Sequence, residues 1–401
     1  LVEGVNRACR NIFMRYPKRG DALMPTEDFW NLAGRAGRWG KEFQGNIFCL
    51  DPEKEKEWVG GTAPRAKQKF NIKIATQRIA AEFDTFLEYI QSDGMIAPPN
   101  RFYEYLFSYL VFRRSKFGDI GRKGLLGNLA PSQTNLIEKE IDRVVTDMMV
   151  PLEIIHRNPG INPVGIDELY RYFQTKDASE YPDLIPTDPL SDAIVVGDDG
   201  EQHDAAIENL IAIFTRISKY LGGQLGRGNS AYGNASLVVF WMRGYPLHRI
   251  IDRQITYWKK RDPDKKDPAI IRDTLERVEK IARFETPKYL HCYIDVLIFF
   301  FKEKDCGYLA DGIQDFWLFL EFGVSKRTQL SLMSLGLSRS SVTSVSDYIV
   351  DDELDETGCL NWLTTNPWNE YGLPTLVELE IDLLLKRHGR TFPSTDDSTS
   401  D

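Results

Sequence analysis

From residue 74 to residue 301 apolar side chains return every third or fourth position, and that spacing leaves the chain few ways to fold. A period near 3.6 gathers them on one face of a helix, whereas a half-buried strand needs strict alternation. Ile79, Phe83, Phe86 and Leu87 mark the first such stretch, within residues 74–90. Pro98 and Pro99 break it, and a strongly aromatic one follows through Phe102, Tyr103, Tyr105, Leu106, Phe107, Tyr109 and Leu110. These rings cover so wide a face that they read as core before they read as a base-stacking platform. Long or short helices are expected again at residues 135–156, 166–173, 205–217, 247–261, 270–284 and 290–301. The first fifty residues read otherwise: Asn11 to Met14 and Gly45 to Leu50 have the apolar runs of short buried strands, and Thr26 can cap a helix carrying Phe29 and Trp30.

The chain of 401 residues has room for two to four domains. A hydrophobic content of 42% beside 27% charged residues is that of a soluble globular protein. The formal net charge is −9, so any contact with nucleic acid has to come from local basic patches. Five scattered cysteines without a CxxC pair indicate neither a zinc site nor a disulfide framework, and a reducing cytoplasm is the simple reading. The most apolar run, residues 289–301, is interrupted by His291 and Asp295 and is too short to span a membrane.

Chemistry concentrates in Phe29-Trp30-Asn31-Leu32-Ala33-Gly34-Arg35-Ala36-Gly37-Arg38. Small residues let a backbone approach a ligand closely, and arginines clamp phosphate with a planar fork of donors. Charge on a transferring phosphoryl group is stabilised by arginines of this kind. Taken alone, the stretch is equally a surface turn with two solvated arginines.

The same stretch resembles motif VI of superfamily 2 helicases, Gln-x-x-Gly-Arg-x-Gly-Arg, with Asn31 at the Gln position and Gly34, Arg35, Gly37 and Arg38 matching. Leu1-Val2-Glu3-Gly4-Val5-Asn6 is similar to the end of motif V of Ski-type DEAD/DEAH-box helicases, and Gly45 to Leu50 to the strand after motif VI. Two departures stand out: Arg7-Ala8 replace the usual Leu-Pro, and Asn31 is shorter than the usual Gln. The resemblance implies a C-terminal part of a larger helicase, beginning within motif V. Its ATP and Mg2+ would be held largely by a missing N-terminal RecA-like half, because no GxxxxGK[ST], no Asp-Glu-x-His and no Asp-Glu-Ala-Asp is found in the chain. Arg38 and Arg35 would act as arginine fingers, Asn31, Gly34 and Gly37 would contact ATP, and Gly4, Val5 and Asn6 would touch the strand.

Further candidates for nucleic-acid contact are spread along the body. Five basic residues in 64–78, without an acid, make a local basic run whose commonest explanation is a solvated face. Arg113, Arg114 and Lys116, followed by Gly118, have the residue types of a phosphate-contacting hairpin. Residues 247–261 set Leu247, Ile250, Ile251 and Ile255 against Arg249 and Arg253, with Trp258 near the end. The periodicity shows an amphipathic helix; the resemblance implies a ratchet-like helix tracking a single strand. Leu335-Gly336-Leu337-Ser338, between two apolar-periodic segments, is similar to a helix-hairpin-helix, with Arg339 placed to assist phosphate binding and Ser338 where the family has a second Gly. Gly222 to Gly228 is Gly-rich but lacks the Lys-Ser/Thr of a phosphate loop, and reads as a flexible loop.

The expected architecture is an α/β RecA-like remnant followed by mostly α-helical accessory domains. Residues 1–62 would end the second RecA-like domain, 63–178 form a helical, winged-helix-like domain, and 179–204 a connection. Residues 205–322 would form a helical ratchet-like domain, 323–390 a helix-hairpin-helix-like module, and 391–401 a disordered tail. The expected activity is that of an ATP-dependent helicase or translocase whose partner is single-stranded DNA or RNA, in the cytoplasm and away from membranes, with this fragment inactive by itself. A non-catalytic scaffold for nucleic acid or a partner protein, with a relic motif VI, is the other reading. The combination also looks similar to helicases of bacterial antiviral defence.

Overall fold

The computed structural model describes residues 11–15, 18–19, 22–33, 46–53, 58, 75–94, 102–196, 200–226, 230–313 and 316–390. The chain divides into two compact units, Leu1–Arg78 and Ile79–Asp401. Expectations that fall on residues 1–10, 34–45, 59–74 and 391–401 lie outside the described residues.

In the smaller unit, β1 (Asn11–Arg15) pairs in parallel with β4 (Asn46–Leu50), Asn11 opposite Asn46 and Arg15 opposite Leu50. Between them come a small antiparallel pair, β2 (Lys18–Arg19) and β3 (Ala22–Leu23), and the helix α1 (Thr26–Ala33). A tight turn cannot join parallel strands, so the crossover through α1 is what makes the pair buildable. The unit closes on Met14, Phe29, Ala33 and Trp58, with the Phe29 ring set edge-on to Trp58. Phe13 and Phe48, opposite each other in the register, stack at 4.7 Å on an exposed sheet face.

The larger unit is helical. It begins within α2 (Ala75–Ala81) and runs through α3 (Phe83–Gln91), α4 (Phe102–Phe117), α5 (Pro131–Asp147), α6 (Leu152–Arg157) and α7 (Pro163–Gln174). After the short strands β5 (Ile194–Val196) and β6 (Gln202–Asp204) come α8 (Ala205–Tyr220), α9 (Ser230–Met242), α10 (Leu247–Arg261) and α11 (Asp267–Arg277). A π-helical segment, Val278–Glu285, leads into α12 (Thr286–Glu303), then α13 (Gly307–Asp311) and α14 (Phe316–Phe322). One hydrophobic core runs through the helices from α2 to α10 and from the π-helical segment to α14, with α12 packed on α7, α13 and α14. A second core holds α15 (Arg327–Ser334), α16 (Arg339–Val345), α17 (Glu356–Thr365) and α18 (Thr375–Arg387), around Leu332, Val342, Leu363 and Ile381.

Several boundaries differ from the expected ones, each for a local reason. The helix expected over 74–90 is broken at Glu82, which leaves helical geometry (φ −116°, ψ 26°) and accepts a 2.6 Å hydrogen bond from the Tyr103 hydroxyl. The helix expected over 135–156 stops at Asp147. There Met148 turns extended and the Asp167 carboxylate accepts from the amides of Met149 and Val150 at 2.7 and 2.8 Å. Residues 179–204 do not separate two cores: Tyr181 and Leu184 are buried, and the Tyr293 hydroxyl donates to the Leu184 carbonyl at 2.9 Å. The described residues of 75–178 hold helices and turns. No helix among the described residues is long and apolar enough to cross a membrane.

Gly165, in α7, faces the end of α8 so closely that a Cβ there would lie 2.1 Å from the Tyr220 carbonyl oxygen. Gly165→Ala should therefore destabilise the larger unit by roughly 1–3 kcal/mol through overpacking, read as a lower urea midpoint at unchanged slope.

Candidate functional site

The motif-bearing stretches at Gly4, Val5 and Asn6 and at Gly34, Arg35, Gly37 and Arg38 lie outside the described residues. Asn31 falls on α1, and the arginine-bearing stretch follows directly on Ala33, the last residue of that helix. In sequence the stretch therefore falls between β1 and β4, which pair in parallel.

Arg113, Arg114 and Lys116, expected in a hairpin, stand instead on the last turn and a half of α4, and the turn begins only at Gly118 (φ +74°). Their charges are already engaged. Arg113 holds Asp119 through Nε and Nη2 at 2.8 and 3.1 Å, which lowers the Asp119 carboxyl below its ordinary range and raises the guanidinium further. Arg114 forks onto Asp142 at 2.5 and 3.1 Å and reaches Glu138, which also pairs with Arg122. Lys116 lies over the Phe112 ring at 5.2 Å. A phosphate would have to compete with a carboxylate fork at each arginine, so this end of α4 serves packing within the unit before it serves a ligand.

On α10 the opposite holds. The helix is amphipathic as expected, with Ile250 buried and Arg249, Arg253 and Lys260 exposed along one face. These three positions span about 16 Å of helix at 1.5 Å per residue. Arg253 lies over the Phe240 ring at 4.0 Å, a contact that orients the guanidinium without neutralising it. Trp258 is half-buried, with Tyr257 edge-on beside it and the Lys265 ammonium 3.9 Å above its ring. It forms part of the wall of a 500 Å³ cavity between α9, α10 and α11.

Residues 327–345 do form a helix, a short hairpin and a second helix, and Gly336 supplies the positive φ (+110°) that the turn requires. The hairpin amides are satisfied within the protein. The amide of Gly336 donates to Met333, that of Leu337 to Leu332, and that of Ser338 to the Glu380 carboxylate at 3.0 Å. Ser338 caps α16 by accepting from the Ser341 amide. Arg339 points inward. Its Nε donates to the Gly323 carbonyl at 2.9 Å and its Nη2 to those of Trp241 and Tyr245 at 3.2 and 3.0 Å, with the Trp241 ring 3.9 Å beneath it. Burial, helped by the charge of Arg283, lowers its pKa to about 10. So the phosphate-assisting role expected of Arg339 gives way to a bolt between the hairpin and the ends of α9 and α14, and the position a phosphate would take at Ser338 holds a carboxylate.

No family model matches the sequence, and no curated protein matches it. Two residues that matter at these sites escaped sequence reasoning. Glu380 sits inside an ordinary amphipathic pattern forty-two residues from Ser338. Arg277 stands in a segment that reads only as core helix, yet it lines the cavity beside Trp258.

Two outcomes follow from the hairpin. Replacing Arg339 by Met leaves three carbonyls short of a charged donor, so the urea midpoint should fall by the equivalent of about 2 kcal/mol or more while single-strand affinity stays within twofold. Burial opposes the Glu380 charge, but hydrogen bonds from the Ser338 amide and the Ser341 and Ser338 hydroxyls outweigh it and set its pKa below the ordinary 4.5. A depressed pKa stabilises above the unfolded-state value and is lost as pH falls through the folded one. Thermal unfolding of the wild type should therefore lose stability on acidification below 4.5 more steeply than that of Glu380→Gln.

Proposed function

We propose that the chain is the C-terminal portion of an ATP-dependent helicase or translocase acting on a nucleic-acid strand, with ATP and Mg2+ as cofactors. The observation that carries the reading is the join between sequence and topology. The stretch Asn31 to Arg38 lies between two short strands that pair in parallel. A crossover of this kind is where a RecA-like domain holds its arginine fingers, and the open Phe13–Phe48 face fits a sheet that is covered on both sides. On this reading Arg38, with Arg35, stabilises charge on the transferring phosphoryl group. Closure of two RecA-like domains around ATP brings the arginines in, and hydrolysis releases them. Mg2+ ligands and the phosphate cradle belong to the N-terminal RecA-like half. The exposed strip of Arg249, Arg253 and Lys260 on α10 serves the strand.

The scaffold reading draws on a different observation, that the 401 residues hold no GxxxxGK[ST], Asp-Glu-x-His or Asp-Glu-Ala-Asp. It keeps nucleic-acid or protein binding and drops hydrolysis. ATP turnover by the full-length natural protein, with and without single-stranded DNA or RNA, separates the two. Arg38→Ala should abolish strand-stimulated turnover, a fall on the order of a thousandfold, with strand affinity nearly unchanged. Turnover at the wild-type rate in that variant removes the finger role, and strand binding without turnover in the wild type supports the scaffold.

A further inference from the structure

Arg277 ends α11 where the chain passes into the π-helical segment Val278–Glu285. Such segments are rare and tend to mark functional positions. Its guanidinium meets two neutral oxygens: Nη2 donates to Asn234 Oδ1 at 3.1 Å and Nη1 to Gln254 Oε1 at 3.3 Å. Asn234 is itself held in place, its amide nitrogen donating to the Leu225 carbonyl at 3.0 Å. Among the described residues no carboxylate makes an ion pair with Arg277. The nearest candidate, Asp273, binds Lys265 at 3.1 Å. Burial lowers the Arg277 pKa, as it does for a cation with little counter-charge.

A desolvated arginine held by amides and left without a carboxylate is costly unless an anion completes it. Arg277 lines the 500 Å³ cavity together with Lys265, Lys280 and the Trp258 ring. The cavity lies in the size range of small-ligand sites. Two carboxylates, Asp273 and Glu276, also line it, so three cations face two anions in a chain that is acidic as a whole. A planar fork suits a phosphate better than a point charge does, and the Lys280 ammonium can take one of its remaining oxygens, while Lys265 stays paired with Asp273.

We propose that this cavity is a phosphate-binding site for a nucleotide unit, with the phosphate on the Arg277 fork, Lys280 at the rim and the base against the wall formed by Trp258. The phosphate can come from a polynucleotide or from a free mononucleotide. The first source rests on the strand-binding role given to α10; the second does not.

The test uses the 401-residue chain and needs no hydrolysis. Affinity for a labelled oligothymidylate is measured by anisotropy, and for AMP by calorimetry, in the wild type, Arg277→Met, Arg277→Lys and Lys280→Glu, each checked by circular dichroism. Loss of a charge-assisted fork should weaken the bound ligand about tenfold or more in Arg277→Met. Arg277→Lys should recover part of the loss, and Lys280→Glu, at an exposed position, should weaken it several-fold. Loss confined to the oligothymidylate names the strand as the source, and equal loss for AMP names the free nucleotide. If Arg277→Met does not fold, Lys280→Glu and Arg277→Lys decide. Wild-type affinity in the folded variants, or no binding of either ligand by the wild type, overturns the site. An Arg277-dependent affinity in a full-length protein without ATPase activity would remove the helicase reading and leave this one standing.

Discussion

The larger unit depends on burying α12 almost all round. Leu290, Cys292, Tyr293, Val296, Leu297, Phe300 and Phe301 are each at most 1% exposed. A helix with so little solvated face is stable only when its neighbours supply apolar surface on every side. They do so with rings: Phe173 lies 5.3 Å edge-on to Tyr293 and 5.8 Å from Phe300, and Tyr181 packs 5.5 Å from Phe301. The Asp295 carboxylate carried inward is satisfied locally, whereas the buried Thr286 hydroxyl has no hydrogen-bond partner among the described residues. Asp295 accepts from Asn158 at 3.0 Å and pairs with Arg157 at 3.3 Å, and burial pushes the Cys292 thiol well up, so that it stays neutral. The preceding π segment packs on α9, α11, α12 and α14 and buries Val278, Ile281 and Ala282. Its position is set by the α12 core, and it is this junction that holds Arg277 against Asn234.

The arginines of the larger unit fall into two groups, and the difference decides where a ligand can act. Arg114, Arg171 and Arg243 reach carboxylates, the last forking onto Asp204 at 2.6 and 3.2 Å. Arg339 reaches three carbonyls. An anion arriving at these groups gains only the difference between two similar partners, and breaking a partly buried pair leaves an uncompensated charge behind. Arg253 and Arg277 have a ring and two amide oxygens for company, so an anion gains most of its interaction there. Residue type alone ranks Arg113 and Arg253 equally; their partners do not.

That contrast explains what was legible in the sequence. Helical periodicity located α8, α10 and α12 because their apolar faces are dictated by the core they join. The strands at Asn11–Arg15 and Asn46–Leu50, and the helix start at Thr26, were readable for the same reason: short apolar runs and a capping residue are local signals. The breaks at Glu82 and Met148 were not, since each answers to a distant side chain, Tyr103 in one case and Asp167 in the other. The hairpin at Leu335 to Ser338 was placed correctly, but its occupant comes from α18. Pairing across long separations has no period, so the basic residues of a site could be named while their availability could not.

Charge makes availability matter further. At a net −9 the chain as a whole repels a polyanion, and screening confines each exposed charge to about 10 Å at moderate salt. A strip that runs about 16 Å along α10 therefore acts through nearby contacts more than through a long-range field. Such contacts are weak one by one at an exposed surface, whereas a guanidinium already partly stripped of water by its own fold has met part of that cost before any ligand arrives. On the proposed readings, Arg249 and Arg253 would set how a strand lies along the helix, and Arg277, half-buried behind Trp258, would set how tightly one phosphate is held.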